Sequence, residues 1–209
     1  MSRYARRERL ALADLLSEVG PDAPTLCDGW ATRDLAAHLV TRERRPDAAL
    51  GIVLKPVAAH TRAVQERFAA RDFADLIAEL REPPIWSPVS NPLLDELVNV
   101  TEMFIHHEDA RRAQPDWSPR VLASAHQAAL WDRVRRTARL ALRRFPATVV
   151  LDAGEFGAVT AGAGGPRVTV TGDPGELSLF VSGRQAYARV ELGGDAGSAE
   201  RLSRARLGI

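Results

Sequence analysis

The chain has 209 residues, of which 45% are hydrophobic and 26% charged, an ordinary balance for a soluble globular protein of one large or two small domains. A formal net charge of +1 gives no broad pull toward nucleic acid or an anionic membrane, and no stretch approaches the roughly 20 apolar residues of a membrane span. The single cysteine, Cys27, excludes an intrachain disulfide framework and a cysteine-rich zinc site; Met1 to Arg9 lead into no apolar signal core, so the expected location is the cytoplasm.

The first two thirds read as helices. From about 3 to 19, Leu10, Leu12, Ala13, Leu15, Leu16 and Val19 recur among charges at helical spacing, and Gly20-Pro21 ends the pattern. After a loop from Pro21 to Trp30, Thr32 reads as an N-cap with Asp34 in the first turn, and this helix carries His38 before fading by Arg45-Pro46. A third helix is expected over about 61 to 80, then an irregular segment at Pro83, Pro84 and Pro88. A fourth starts near Asn91-Pro92 and runs to about Ala113. Ser118-Pro119 has the form of a cap and first position for a fifth, reaching about Arg144. Long helices with one extended crossover suit a four-helix bundle.

Composition changes after Phe145-Pro146. Thr148–Leu151 and Arg167–Thr171 read as strands, and Asp173-Pro174-Gly175-Glu176 opens a short helix that Gly183 can end. Ala186 to Leu192 alternates like a strand, and 198 to 207 reads as a last helix. The expected organisation is a mostly α chain: a helical bundle over 1–145 and a small α+β domain over 146–209.

The fourth helix carries the chemistry. Asp95, Asn99, Glu102, His106 and Asp109 follow one another at spacings of four and three, a narrow polar stripe. Leu97, Val98, Val100, Met103, Phe104 and Ile105 fill most of the rest of the circumference, an arc wider than the roughly 100° of a surface helix. Such a stripe either meets solvent or points into a pocket. Glu102 and His106, four apart, share a face, a pair also common on solvated helices. With His38 they offer two imidazoles and a carboxylate, the donor set of a metal that keeps an open position. His107 lies about 100° around the helix from His106, so both cannot face one ion, and a surface or interface role is expected for it. The arginine clusters at 3 to 9, 42 to 45 and 133 to 144 read as solvated helix faces.

Two segments carry a resemblance: Thr25-Leu26-Cys27-Asp28-Gly29-Trp30 through Asp34 to His38-Leu39, and Asn99-Val100-Thr101-Glu102-Met103-Phe104-Ile105-His106-His107-Glu108-Asp109. They resemble the tryptophan-to-histidine segment and the ligand helix of the metal-binding DinB-like family, within it the mycothiol-dependent maleylpyruvate isomerase group. Gly175 to Arg184 is more loosely similar to that group's C-terminal, sterol-carrier-like domain. The resemblance implies that His38, Glu102 and His106 hold one divalent metal, zinc foremost, in a DinB-like four-helix bundle. It also implies mycothiol or another small thiol as cofactor, its sulfur a metal-activated thiolate nucleophile in an isomerase or S-transferase acting on a small electrophile.

Asp34 is a candidate to orient His38 or simply to meet the helix dipole. Asn99 is a candidate ligand contact or a packing residue, and Arg184 a candidate anion binder. No general base or other catalytic residue is visible beyond the metal and the borrowed thiol. The competing reading is a non-catalytic metal-containing protein that binds a small molecule or thiol. A nucleic-acid or membrane partner is not expected, and the chain is expected to be a monomer or homodimer.

Overall fold

Leu12, Ala13 and Leu16 fall on one face of the first helix, α1 (Arg3–Val19), and all three are fully buried. They meet Leu35, Ala36, Leu39 and Val40 of α2 (Thr32–Arg44). Pro46, at the first helical position where its missing N–H costs nothing, opens a short α3 (Pro46–Val53), which packs on α4 (Ala58–Ala69). Leu76, Ile77 and Leu80 of α5 (Phe73–Arg81) and Met103 and Ala110 of α6 (Asp95–Arg111) complete the same apolar cluster. Among the described residues, α1, α2, α5 and α6 supply the buried side chains of this core, and Phe68 of α4 packs against it. In this computed structural model the described residues are 3–53, 56, 58–87, 89–90 and 95–208. The expected helix start near Asn91-Pro92 lies outside them. Among the described residues no helix is long and apolar enough to cross a membrane.

The third expected helix is two. α4 stops at Ala69, and Asp72 starts α5 by accepting hydrogen bonds from the N–H groups of Ala74 and Asp75 at 2.8 and 3.2 Å. A side-chain cap of this kind outweighs a periodicity that runs on through it.

The chain divides into units Met1–Ser118 and Pro119–Ile209, so the boundary falls well before the composition change after residue 145. The reason is α7 (Ser124–Leu142). It begins at Ser124 rather than at Ser118-Pro119, and it buries Trp131, Val134, Ala138 and Leu142 in the core of the second unit. Its periodicity reads as one more bundle helix; the partners that its apolar face meets are a short helix and a sheet of the second unit.

That sheet has strand order β2-β1-β3-β4, from β1 (Thr148–Asp152), β2 (Ala158–Ala161), β3 (Arg167–Thr171) and β4 (Glu191–Gly194). β1 runs parallel to β3 and antiparallel to β2, and β3 is antiparallel to β4. Val149, Leu151, Val168 and Val170 alternate onto the inner face, against Leu177, Phe180 and Val181 of α8 (Pro174–Val181) and Leu202 of α9 (Ala196–Ser203). β1, β3 and α8 match expectation, and α9 lies earlier than the expected 198 to 207. The last strand is shorter and later than Ala186–Leu192, and β2 was not expected, because four residues, Ala-Val-Thr-Ala, carry little periodicity. Asp173 caps α8 by position only, without a side-chain hydrogen bond; Glu176 instead accepts the Arg189 N–H at 2.7 Å.

Gly162 shows why the turn after β2 needs glycine. Its φ is +96°, and a Cβ there would lie 2.0 Å from the Ala147 carbonyl oxygen. Gly162→Ala is expected to destabilise the second unit by at least the roughly 1–3 kcal/mol of a strained backbone position, read from urea unfolding.

Candidate metal centre

The loop before α2 is fastened to the end of α6. Leu26 N–H donates to the Asp109 carbonyl at 3.0 Å, and the Gln114 side-chain amide to the Pro24 carbonyl at 3.0 Å. Within the loop the Thr25 hydroxyl donates to the Trp30 carbonyl at 2.8 Å. Ala31, rather than Thr32, is the N-cap of α2, and the Asp34 carboxylate accepts its N–H at 3.0 Å. Thr32 instead donates its hydroxyl to the Gly20 carbonyl. One turn after Asp34, the His38 ring packs against Trp30 with centroids 5.1 Å apart.

α2 and α6 bring the three expected residues together. His38 Nε2 lies 3.7 Å and His106 Nε2 3.5 Å from the same Glu102 oxygen, Oε1. The two imidazoles meet edge to face, centroids 5.3 Å apart, and one donor atom from each of the three residues lies within 4.8 Å of the other two. Tetrahedral zinc with bonds of about 2.0–2.1 Å sets its ligand atoms roughly 3.4 Å apart, so the donor set and its spacing fit a metal ion. The imidazoles are nearly buried, while the Glu102 side chain keeps 28% of its surface exposed, so the cluster is open to solvent there.

From Asn99 to Asp109 the polar stripe of α6 therefore lies against the protein interior. Asn99 and Asp109 are fully buried and His106 nearly so. Asp109, one turn beyond His106, holds the far side of its ring: Oδ2 is 3.0 Å from Nδ1. A carboxylate on Nδ1 fixes ring orientation and leaves Nε2 for the Glu102 side. The half-buried Cys27 thiol donates to the same Asp109 oxygen at 3.2 Å and lies 3.9 Å from His106 Nδ1. Cys27, His106 and Asp109 form a second group with metal-donor spacing, on the opposite ring edge of the shared histidine.

Glu102 is braced from the other direction. Arg42, one turn after His38, places Nε 3.4 Å from Glu102 Oε1 and donates from Nη1 to Asn99 Oδ1 at 2.7 Å. Asn99 in turn donates from Nδ2 to the Val89 carbonyl. Neither Arg42 nor Asp109 stood out in the sequence as a site residue. The available signal was spacing: Arg42 follows His38 by four, and Asp109 ends the polar stripe.

Burial alone would raise the Glu102 pKa, but hydrogen bonds from His106 and His38, with the charges of His106 and Arg42, hold it well below the usual carboxylate range. Burial would lower that of His106, yet Asp109, Cys27 and Glu102 keep it well above an ordinary imidazole. For His38 burial wins over Glu102 and the value is lowered. Without metal, these directions favour an ionised Glu102, a protonated His106 and a neutral His38.

The remaining candidates are placed as follows. Asp34 is engaged with Ala31, and Asn99 with Arg42 and Val89. Arg184 belongs to the second unit, where its Nη1 donates to the Ser182 carbonyl at 2.6 Å. His107 is not at the surface: it is buried and 2.7 Å from the buried Glu8 carboxylate of α1.

No protein-family model matches the sequence, and no curated protein matches it. Two solved structures do match: the mycothiol-dependent maleylpyruvate isomerase and a histidine-to-alanine mutant of the same enzyme. Each is 18% identical over 91% of this chain and 90% of that one, with a TM-score of 0.52. At this identity the similarity is one of fold.

Proposed function

We propose that this chain is a metal- and thiol-dependent isomerase or S-transferase acting on a small electrophile, with His38, Glu102 and His106 as the metal ligands. The observation that carries this is the convergence of two imidazole nitrogens on one carboxylate oxygen, 3.5 and 3.7 Å away, with the carboxylate side open to solvent. The fold shared with a mycothiol-dependent isomerase supports a thiol, mycothiol foremost, as the partner. When bound, a divalent metal such as zinc would keep such a thiol ionised at neutral pH, ready to add to an activated double bond or displace a leaving group. The chain's own residues have separable tasks. Asp109 orients His106 through Nδ1, Arg42 braces Glu102, and Asn99 holds Arg42. The DinB-like bundle, a cytoplasmic location and a monomer or homodimer belong to the same proposal.

The test is calorimetric titration of mycothiol into metal-loaded and chelator-stripped protein, followed by assays for double-bond isomerisation and thiol adducts. The reading predicts thiol binding only with metal present. Protein purified with zinc that carries no metal, or loaded protein that binds no thiol, would overturn it.

Two further outcomes are expected. Asp109→Asn should weaken metal affinity about 10–100-fold, read by competition with a chromophoric chelator, because the ligands remain but the Nδ1 acceptor loses its charge. Metal uptake at neutral pH should release about one proton, from His106, since His38 is already neutral and Glu102 already ionised. The sign follows: affinity falls as pH drops and protons hold His106, and it levels off once His106 is neutral. Titration in buffers of different ionisation enthalpy measures the count, and zero release would contradict the assignment.

A further inference from the structure

The last turns of α7 and the two residues after it carry a concentration of positive charge. Arg133, Arg135, Arg136, Arg139, Arg143 and Arg144 occur without one acidic residue among them. Arg135 has its partner in Asp132, one turn earlier. Arg139 and Arg143 have no acidic partner among the described residues. They stand one turn apart, a like-charge spacing that costs a few tenths of a kcal/mol on a helix. The dipole at a helix C-terminus favours basic residues there and accounts for their tolerance. It does not account for what they face.

Both arginines line a cleft of about 340 Å³ whose other walls are Thr148, Thr160, Ala161, Gly162 and Gly164. That volume is at the lower end of small-molecule sites. The glycine side is firm and bare. Gly162 is held in its positive-φ conformation against Ala147, and Gly164, with φ +92°, has nothing within 4 Å of where a Cβ would stand. Without side chains there, a ligand can approach the turn's backbone. Thr148 Oγ1, 3.3 Å from the Gly165 carbonyl, and the exposed Thr160 hydroxyl add neutral polar groups. Two guanidinium groups, two hydroxyls and a bare glycine turn form a set that matches an oxyanion, since guanidinium forks pair with two oxygens at once.

We infer that this cleft in the second unit binds the phosphate or carboxylate group of a small anionic molecule, through Arg139 and Arg143. The inference is independent of the metal centre. A nucleic-acid backbone is the less suitable occupant, because the chain's net charge is only +1.

The experiment is an amide ¹H–¹⁵N titration of the full chain with inorganic phosphate and, separately, with succinate, at constant ionic strength. Wild type is compared with the R139Q/R143Q double variant. Both arginines are exposed, so the variant is expected to fold with an unchanged melting temperature. The inference predicts saturable shifts at Gly162 and Gly164 that weaken at least tenfold in the double variant. A response to phosphate alone identifies a phosphorylated ligand, and a response to succinate alone a carboxylate. Shifts that fail to saturate, that persist in the double variant, or that sodium chloride reproduces would overturn it. Should the double variant melt early, R139K/R143K replaces it: the charge remains, the fork is lost, and binding should still weaken.

Discussion

His106→Ala is expected to abolish metal binding, while His107→Ala leaves it intact. The two histidines are adjacent in sequence, yet α6 sends them in different directions. His106 Nε2 faces Glu102 and His38, whereas His107 pairs with Glu8 of α1. Removing one of three protein ligands should lower affinity by more than the roughly 10–100-fold cost of losing an outer partner, so purified His106→Ala should contain essentially no metal by elemental analysis. Thiol binding should disappear with it. The His107→Ala protein should retain full metal content but lose stability, about 1–3 kcal/mol for a buried hydrogen bond removed from Glu8. If His107→Ala loses the metal and His106→Ala keeps it, the assignment of α6 is wrong. If His106→Ala retains metal that is then lost on Glu102→Gln, the site is held by a different histidine. Cys27→Ser separates the two donor sets that share His106. The His38 set predicts metal content unchanged by that substitution, whereas a metal held by Cys27 and Asp109 would be lost.

Part of this site was legible because it is local. Glu102 and His106 share a face by helix geometry alone, and the wide apolar arc of α6 announced a mostly buried helix; Val100, Met103, Phe104 and Ile105 are indeed buried. Whether the polar stripe met solvent or a pocket could not be read from periodicity, which records direction around one helix and not what stands opposite. His38 joins the pair only through the packing of α2 beside α6, and the sequence offered it through resemblance rather than pattern. Asp109 and Arg42 act through a histidine and a carboxylate that others also contact, so their meaning depends on atoms several residues away. The same limit explains α7. Its apolar positions were visible, but a helix that packs on α8 and a sheet and one that packs in a bundle show the same spacing.

Charge was the least legible feature. The arginine cluster from 3 to 9 and that from 42 to 45 read as solvated, yet Arg9 and Glu43 are among the most buried side chains in the chain, 0% and 1% exposed. Arg9 Nη1 donates to Glu43 Oε2 at 2.8 Å and to the Leu80 carbonyl at 3.0 Å, and Nη2 donates to Glu43 Oε1. One guanidinium thus joins α1, α2 and α5 in the interior of the bundle. Composition cannot announce this, because a single buried fork leaves the periodicity of each helix intact.

Glu43→Gln is therefore expected to cost about 3–5 kcal/mol of unfolding free energy, since it leaves the Arg9 charge buried without a counter-charge. Arg9→Met should cost about as much by stranding the carboxylate. The double variant Arg9→Met/Glu43→Leu should recover most of the loss. Two ions need a desolvation penalty repaid by their mutual attraction, whereas apolar groups of similar volume need none. Arg9 Nε, buried with no hydrogen-bond partner among the described residues, adds to what the double change removes. Urea unfolding of the metal-free protein, followed by far-ultraviolet circular dichroism, measures all four proteins and excludes stabilisation by bound metal. A single-variant cost below about 1 kcal/mol would mean that the pair is solvated. A double variant no more stable than either single would mean that the bundle needs the charge-assisted fork itself, and not merely charge balance, to hold α1 against α2 and α5.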